Sequence, residues 1–250
     1  MKKSVLINPM GTSPMVVTEM VNYIRNTDDS LRDVVMICTR NPSILAGSYA
    51  ASAALRERYP GIRVHIVKLD MDDILDEDSL LAFLSVFVEV VNRERNYGVT
   101  NLYLNVSGGR KIQNIVLSLY AGILGIDEVY NVFDPDVENY NIRYEEVKSD
   151  ILENFTNETE IMQTYERLKD KLEPLFYPSL GRLVFLKIDV LKLHPEELVK
   201  LKQAISGTDF TDGSLEDYRL SAYKKSGFIT YDRSRTYPTD LGAIILRGLR

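Results

Sequence analysis

Asn101-Leu102-Tyr103-Leu104-Asn105-Val106-Ser107-Gly108-Gly109-Arg110-Lys111 decides the fold. A short apolar run ends in a glycine pair, and an apolar-periodic stretch over 112–124 follows it, so the segment reads as a buried strand, a tight loop and a helix. The same order opens the chain: Ser4-Val5-Leu6-Ile7-Asn8, then the loop Gly11-Thr12-Ser13-Pro14, then a helix beginning near Met15. Small residues let a backbone approach a ligand closely, and the free N–H groups of a helix start attract anions. As first and fourth strands of a doubly wound sheet, the two runs would lie side by side where the strand order reverses, the crevice at which such sheets bind ligands. Arg110 and Lys111 add positive charge there. A phosphate-bearing ligand is the first expectation.

Around this pair the first half of the chain alternates. Strands are expected over 31–39, 62–67 and 128–133, and helices over 43–59 and 79–92. Strands separated by helices imply parallel units with right-handed crossovers. The expected class is therefore α/β: a Rossmann-like, mainly parallel sheet with helices on both faces. The helix over 79–92 is apolar nearly all round, so it needs partners on more than one side. That need is one reason to expect a homodimer, whose two-fold interface would use one patch twice.

Residues 134–180 read as a less regular, acidic segment, with a strand around 141–147 and a helix around 160–172. A last strand is expected over 183–193, its apolar face formed by Val184, Leu186, Ile188 and Val190 and its other face by Lys187 and Asp189. Residues 1–194 then form one domain and 195–250 a second. The second runs helix (196–205), helix (215–225), an apolar stretch (227–231), the basic turn Arg233-Ser234-Arg235 and a final helix (240–249). Two helices and a hairpin with a basic tip follow the order of a winged helix-turn-helix. In that reading Arg219, Lys224 and Lys225 enter a major groove while Arg233 and Arg235 touch phosphates. Asp209, Asp212, Glu216 and Asp217 crowd the same helix start and would repel DNA, so a dimerisation or lid module remains an alternative.

Composition narrows the class. The 250-residue chain is 45% hydrophobic and carries a net charge of −6, which excludes a simple nucleic-acid-coating protein. The imbalance is uneven: residues 190–250 hold ten Lys/Arg against eight Asp/Glu. The N-terminal apolar stretch is too short for a signal peptide, and no run is long enough to span a membrane. The single cysteine, Cys38, lies in an apolar run, permits no intrachain disulfide and reads as a core thiol. A cytoplasmic protein is expected. Neither loop contains Asp, Glu, His or Cys, so no metal or other cofactor is expected. Asp70, Asp72, Asp73 and the group Asp134-Pro135-Asp136 read as solvated loops at strand ends.

The Gly11-Thr12-Ser13-Pro14 loop followed by Met15-Val16-Val17-Thr18-Glu19, together with the 105–111 loop, resembles the CRISPR-associated Rossmann fold (CARF) domain. The C-terminal segment is similar to the winged helices often appended to it. The resemblance implies a homodimer that binds cyclic oligoadenylate, an antiviral second messenger, across its two-fold axis. Effector members add a HEPN ribonuclease domain with an Arg-x4–6-His motif. Here Arg58 and His65 meet that spacing only across a turn and a strand, and His194 has no such arginine, so a HEPN effector is not expected.

The first loop looks most like the ring-nuclease branch. That branch cleaves the messenger, here cyclic tetra-adenylate, to linear products with 2′,3′-cyclic phosphate ends and so switches off type III antiviral signalling. The alternative implied by the family is a regulator that binds the ring without cleaving it and acts through DNA. In the cleavage reading Ser13 and Lys111 are catalytic. Gly11, Thr12, Asn105, Ser107, Gly108, Gly109 and Arg110 bind the ligand, and Lys187 is a further candidate contact. Asn105 has two open roles, orienting its turn or reading an adenine. Ser13 also suits the cap of the first helix, a role compatible with ligand contact, and Glu19 on that helix is read as structural.

Overall fold

The computed structural model describes residues 2–153, 158–211 and 213–249. Six strands form one sheet in the order β3-β2-β1-β4-β5-β6. β1 (Ser4–Pro9), β2 (Leu31–Cys38), β3 (Arg63–Lys68), β4 (Asn101–Asn105) and β5 (Glu128–Phe133) run parallel, and β6 (Val184–Ile188) pairs antiparallel with β5 at the edge. β1 lies between β2 and β4, with Ser4–Ile7 in register against Asn101–Leu104. The adjacency expected from the two loops is therefore present, and the class is α/β and Rossmann-like.

Strand periodicity divides the interior into two cores. Leu6 of β1 points into a core with α1 (Met15–Arg25), α2 (Pro42–Arg58), α5 (Val137–Glu153), α6 (Glu158–Arg167) and α7 (Lys169–Phe176). Val5 and Ile7 point the other way, toward α3 (Glu77–Asn96) and α4 (Lys111–Ala121). Every residue of β1 is buried, as a strand covered on both faces must be. α2 starts at an Asn41 cap that accepts from the Ser43 amide at 3.0 Å, with Pro42 in the first turn. α3 starts at an Asp76/Ser79 capping box.

Three expectations need correction. Residues 134–180 are not irregular: they hold α5, α6, α7 and a 3-10 turn over Leu180–Arg182. The strand expected at 141–147 lies inside α5, whose buried residues Tyr140, Tyr144, Val147 and Ile151 recur at helical spacing. Finally, the apolar girth of α3 is covered within the chain. After α8 (Pro195–Ile205), α9 (Asp217–Lys225) and the β7–β8 hairpin (Ile229–Tyr231, Thr236–Pro238), helix α10 (Asp240–Gly248) lies along α3. Gly248 sits against Val88, and the Asn92 side chain donates to the Arg247 carbonyl at 2.7 Å. α3 thus supplies no argument for a dimer.

The C-terminal residues Leu201, Ile205, Leu220, Phe228 and Ile245 share the core of α3, β4 and α4. The pairing of Asp209 with Arg235 adds one bridge beside the hairpin. Cys38 is buried, with its sulfur 2.9 Å from the Ser48 hydroxyl, and burial pushes its thiol up to about 12. Among the described residues no helix is long and apolar enough to cross a membrane.

At the far end of the sheet from the loops, Asp33 on β2 is almost fully buried and ties β1 to β3. Arg63 donates to it through Nε at 2.7 Å and a second guanidinium nitrogen at 2.9 Å, and Lys3 Nζ lies 3.0 Å away. Burial raises the Asp33 pKa, but hydrogen bonds from Arg63, Lys3 and His65 outweigh it and hold the carboxyl below its usual range. A carboxylate with a depressed folded-state pKa stabilises at neutral pH and loses that contribution as pH falls through the folded value. Asp33→Asn should therefore cost about 1–3 kcal/mol at pH 7. Denaturant unfolding should show the gap between the two proteins closing as pH falls below about 4.

Candidate functional site

The carboxyl ends of β1 and β4 are joined by two buried asparagines. Asn105 Nδ2 donates to Asn8 Oδ1 at 2.5 Å and to the Val16 carbonyl at 3.0 Å, while Asn8 Nδ2 donates to the Pro9 carbonyl at 2.9 Å. The Asn105 Oδ1 accepts from the Ser107 amide at 3.1 Å and from its hydroxyl at 2.6 Å, and the Ser107 Oγ accepts from the Val132 amide at 2.5 Å. One side-chain chain of hydrogen bonds therefore crosses β1, the start of α1, β4 and β5. Asn105 is wholly buried and fully used. Of its two open roles the structure supports orienting the turn, and direct ligand contact is corrected.

This register presses the two loops together. A Cβ on Gly11 would lie 2.8 Å from the Gly109 amide nitrogen, and one on Gly108 would overlap the Pro9 carbonyl oxygen. Gly109 also has φ +76°, the left-handed region that favours glycine. Clefts surround the 107–111 loop. One lies beside Gly11, Thr12, Thr39, Asp73 and Arg110; a second runs along α4 past Lys111, Ile115 and Leu119; a third lies under Ser13, between α1, α5 and the end of β5. Gly109 borders the first two, and Ser107 and Asn131 border the last two. Every loop residue singled out from sequence except Asn105 and the tightly packed Gly108 lines one of these clefts.

Each polar group is held in a particular way. The Ser13 hydroxyl donates to Asn141 Oδ1 on α5 at 2.7 Å, and it makes no cap bond to α1. Arg110 is clamped by Asp73 in a bidentate pair, with Nε 2.7 Å from one carboxylate oxygen. That guanidinium draws the Asp73 carboxyl below its usual range. Lys111 opens α4 and faces the second cleft. The third cleft holds a group that the sequence left aside. Glu19 on α1 is only 4% exposed, and burial, then the nearby Asp134 charge, pushes its carboxyl up to about 7 against the pull of Arg182. Asp134 is itself buried and receives Arg182 at 2.9 Å, so it is not the solvated loop residue expected.

Other expected contacts lie elsewhere. Lys187 lines none of these clefts; on the edge strand its Nζ pairs with Glu128 Oε2 at 2.8 Å, at the opposite end of β5. Arg219 is buried in the angle between α8 and α9, gripped by Glu197 and Glu216, so it is not available to enter a groove. Lys224, Lys225, Arg233 and Arg235 are exposed, with Lys224 5.0 Å over the Tyr231 ring and Arg235 donating to the Gly207 carbonyl at 2.9 Å. Asp209 and Asp232 stand among them, and Asp212 lies outside the described residues.

The loop contact is testable without a ligand. Gly108→Ala must push Pro9 away and should destabilise the fold by about 1–3 kcal/mol in denaturant unfolding. Gly61→Ala, whose added methyl meets nothing within 4 Å, should stay within about 0.5 kcal/mol of the wild type. Equal stabilities for the two variants would contradict the tight apposition of the loops.

The chain is similar to known proteins. Over 140 residues the chain is 26% identical to a CRISPR system ring nuclease of Saccharolobus solfataricus, a match covering 54% of this chain and 74% of that protein. Among solved structures it overlaps Enterococcus italicus Csm6 bound to cyclic hexa-2′-fluoro-hexa-dAMP (TM-score 0.48, 18% identity, 91% of this chain) and protein VC1899 from Vibrio cholerae (TM-score 0.40, 9% identity, 98% of this chain). The chain spans 51% and 64% of those two chains. Residues 13–205 match the family of CRISPR-associated protein NE0113. With that match over most of its length and a Rossmann-like sheet beneath its paired loops, the chain belongs to the CRISPR-associated protein NE0113 family.

Proposed function

We propose that the protein is a ring nuclease: two copies bind one cyclic oligoadenylate, taken as cyclic tetra-adenylate, between their paired loops and cleave it. The observation that carries this reading is the apposition of the two glycine loops at the ends of β1 and β4. There the loop backbones meet at close range, and Ser13 and Lys111 stand in neighbouring clefts that share Ser107. That the Saccharolobus relative is a ring nuclease supports cleavage over sensing alone.

The chemistry asks little of the protein. The ribose 2′-oxygen attacks the adjacent phosphorus, the bond to the 5′-oxygen breaks, and the proton lost from the 2′-hydroxyl is balanced by one gained at the leaving 5′-oxygen. The products are a 2′,3′-cyclic phosphate and a 5′-hydroxyl. The protein contributes alignment of the attacking oxygen and stabilisation of developing negative charge. The Lys111 ammonium and the loop amides supply the charge stabilisation, and Ser13 the positioning. Arg110 reaches phosphate by exchanging Asp73 for it. The hydroxyl, amide and cationic groups at the loops are not a metal-ligand set.

Support for the second copy comes from α4. Its outer residues Ile112, Ile115 and Leu119 are exposed, Leu119 by 66%, and Ile115 and Leu119 border the Lys111 cleft. Phe133 on β5 and its partner Val184 on β6 are exposed as well. An isologous contact across this face would place both loop pairs around one ring.

Three outcomes follow. Protein stripped of metal with EDTA should still convert cyclic tetra-adenylate to linear products resolved by chromatography; loss of cleavage in EDTA, or tight binding with no product, would contradict the proposal. Ser13→Ala should lower turnover by about 10²–10³ with a smaller change in affinity, whereas Lys111→Ala should lower both. In light scattering the wild type should be a dimer at micromolar concentration, and Leu119→Glu should shift it toward monomer and weaken ring binding.

A further inference from the structure

The third cleft has a composition unlike that of the loops above it. Its volume is about 280 Å³, just below the ~300–1,000 Å³ of pockets for drug-sized ligands and of the right order for one nucleobase. Met15, Val16, Val132 and Val137 give it apolar walls, Phe133 stands exposed at its edge, and Ser13 lies at its loop end. Among the described residues two carboxyls, Glu19 and Asp134, line it, and no lysine or arginine does. Asp134 is engaged by Arg182, whose guanidinium also lies 4.2 Å over the Tyr140 ring. Glu19 differs: among the described residues no donor hydrogen-bonds its carboxyl, although the residue is more than nine-tenths buried.

An unpartnered buried carboxyl is costly and calls for a complementary group. Among the described residues the cleft offers a phosphate no free cation, Arg182 being engaged by Asp134, so the part of a nucleotide suited to it is the neutral, planar base. We propose that the cleft receives an adenine of the bound ring and that the Glu19 carboxyl reads its Watson–Crick edge, donating O–H to N1 and accepting from the N6 amino group. This assignment rests on the ring-binding function proposed above. A protonated carboxyl offers one donor and one acceptor side by side, the complement of that edge; an ionised one offers acceptors only and opposes N1. The apolar walls and the Phe133 and Tyr140 rings suit the faces of the base. Purine without the 6-amino group keeps N1 but offers no N6 donor to the carboxyl, so the same cleft discriminates against it.

The test uses the full-length protein and 2′-deoxy rings, which lack the attacking hydroxyl and stay intact during titration. The groups facing Glu19 are Asp134 at the end of β5, Arg182 in the 3-10 turn and the Tyr140 phenol on α5; the phosphodiesters hold constant charge across the range used. Burial raises the Glu19 pKa to about 7, so its neutral form is lost as pH rises through that value. Affinity of the wild type for cyclic tetra-2′-deoxyadenylate should therefore weaken at least tenfold between about pH 6 and pH 8.5.

Glu19→Gln, whose amide keeps one donor and one acceptor, should bind at both pH values with the slope removed. The wild type at the lower pH should bind the analogous 2′-deoxy ring of four purine units lacking the 6-amino group at least tenfold more weakly than the adenylate ring, a comparison that needs no variant. Equal pH slopes for wild type and Glu19→Gln, or no discrimination against the purine ring lacking the 6-amino group, would overturn the base-reading role while leaving ring binding intact. Unchanged binding with slowed cleavage in Glu19→Gln would move the residue into the chemistry and also overturn it. Failure of the wild type to bind either ring at any pH would overturn both this assignment and the function on which it rests.

Discussion

The hydrogen bond between the buried side chains of Asn8 and Asn105 is the constraint on which the site depends. Parallel neighbours in a sheet fix strand spacing but leave the chain free once each strand ends. Here the amide of one strand end is spent on the other, and the remaining lone pairs and protons are passed to Val16, Ser107 and, through Ser107, to β5. A buried amide with each partner supplied rigidifies its surroundings, because leaving one unmade is expensive. The result is that the Gly11 and Gly109 backbones meet at near-contact distance. Side chains any larger would hold the loops apart and close off the peptide groups that a phosphate would approach.

Charge is sorted around that contact. Arg110, held by Asp73, and Lys111 lie on the loop and first turn of α4, while Glu19 and the Arg182-paired Asp134 lie below, under α1 and at the end of β5. In the function proposed above, phosphates and bases would be directed to different levels of one site. The exposed apolar face of α4 adjoins the cationic level. In the function proposed above, a second copy lying on that face would bring a second set of loops to the same ring, so that association and ligand binding would use continuous surface.

Much of this was legible in the residues. The β1–β4 adjacency followed from two strand-loop-helix units with small loop residues, because only the reversal point of a doubly wound sheet sets such loops side by side. What failed did so for local reasons. Tyr140, Tyr144, Val147 and Ile151 carry a helical stripe, but charged residues between them imitate the alternation of a strand. Arg219 has the residue type and helix position of a DNA contact, yet Glu197 and Glu216 reach it first, a pairing across 22 positions that spacing does not reveal. Lys187 was misplaced because its direction depends on an antiparallel edge pairing with β5. Glu19 left one faint signal, a lone acid inside Met15-Val16-Val17-Thr18-Glu19-Met20-Val21, where a helix face otherwise turns to the core. Only the cleft beside it gives that signal meaning.

The central claim is that two copies of the paired loops form one ring-binding site. Calorimetric titration of the wild type with non-cleavable cyclic tetra-2′-deoxyadenylate measures it most directly. The account predicts saturation at one ring for every two chains, with the protein dimeric throughout. Saturation at one ring per chain, or binding by a monomer with undiminished affinity, would contradict it.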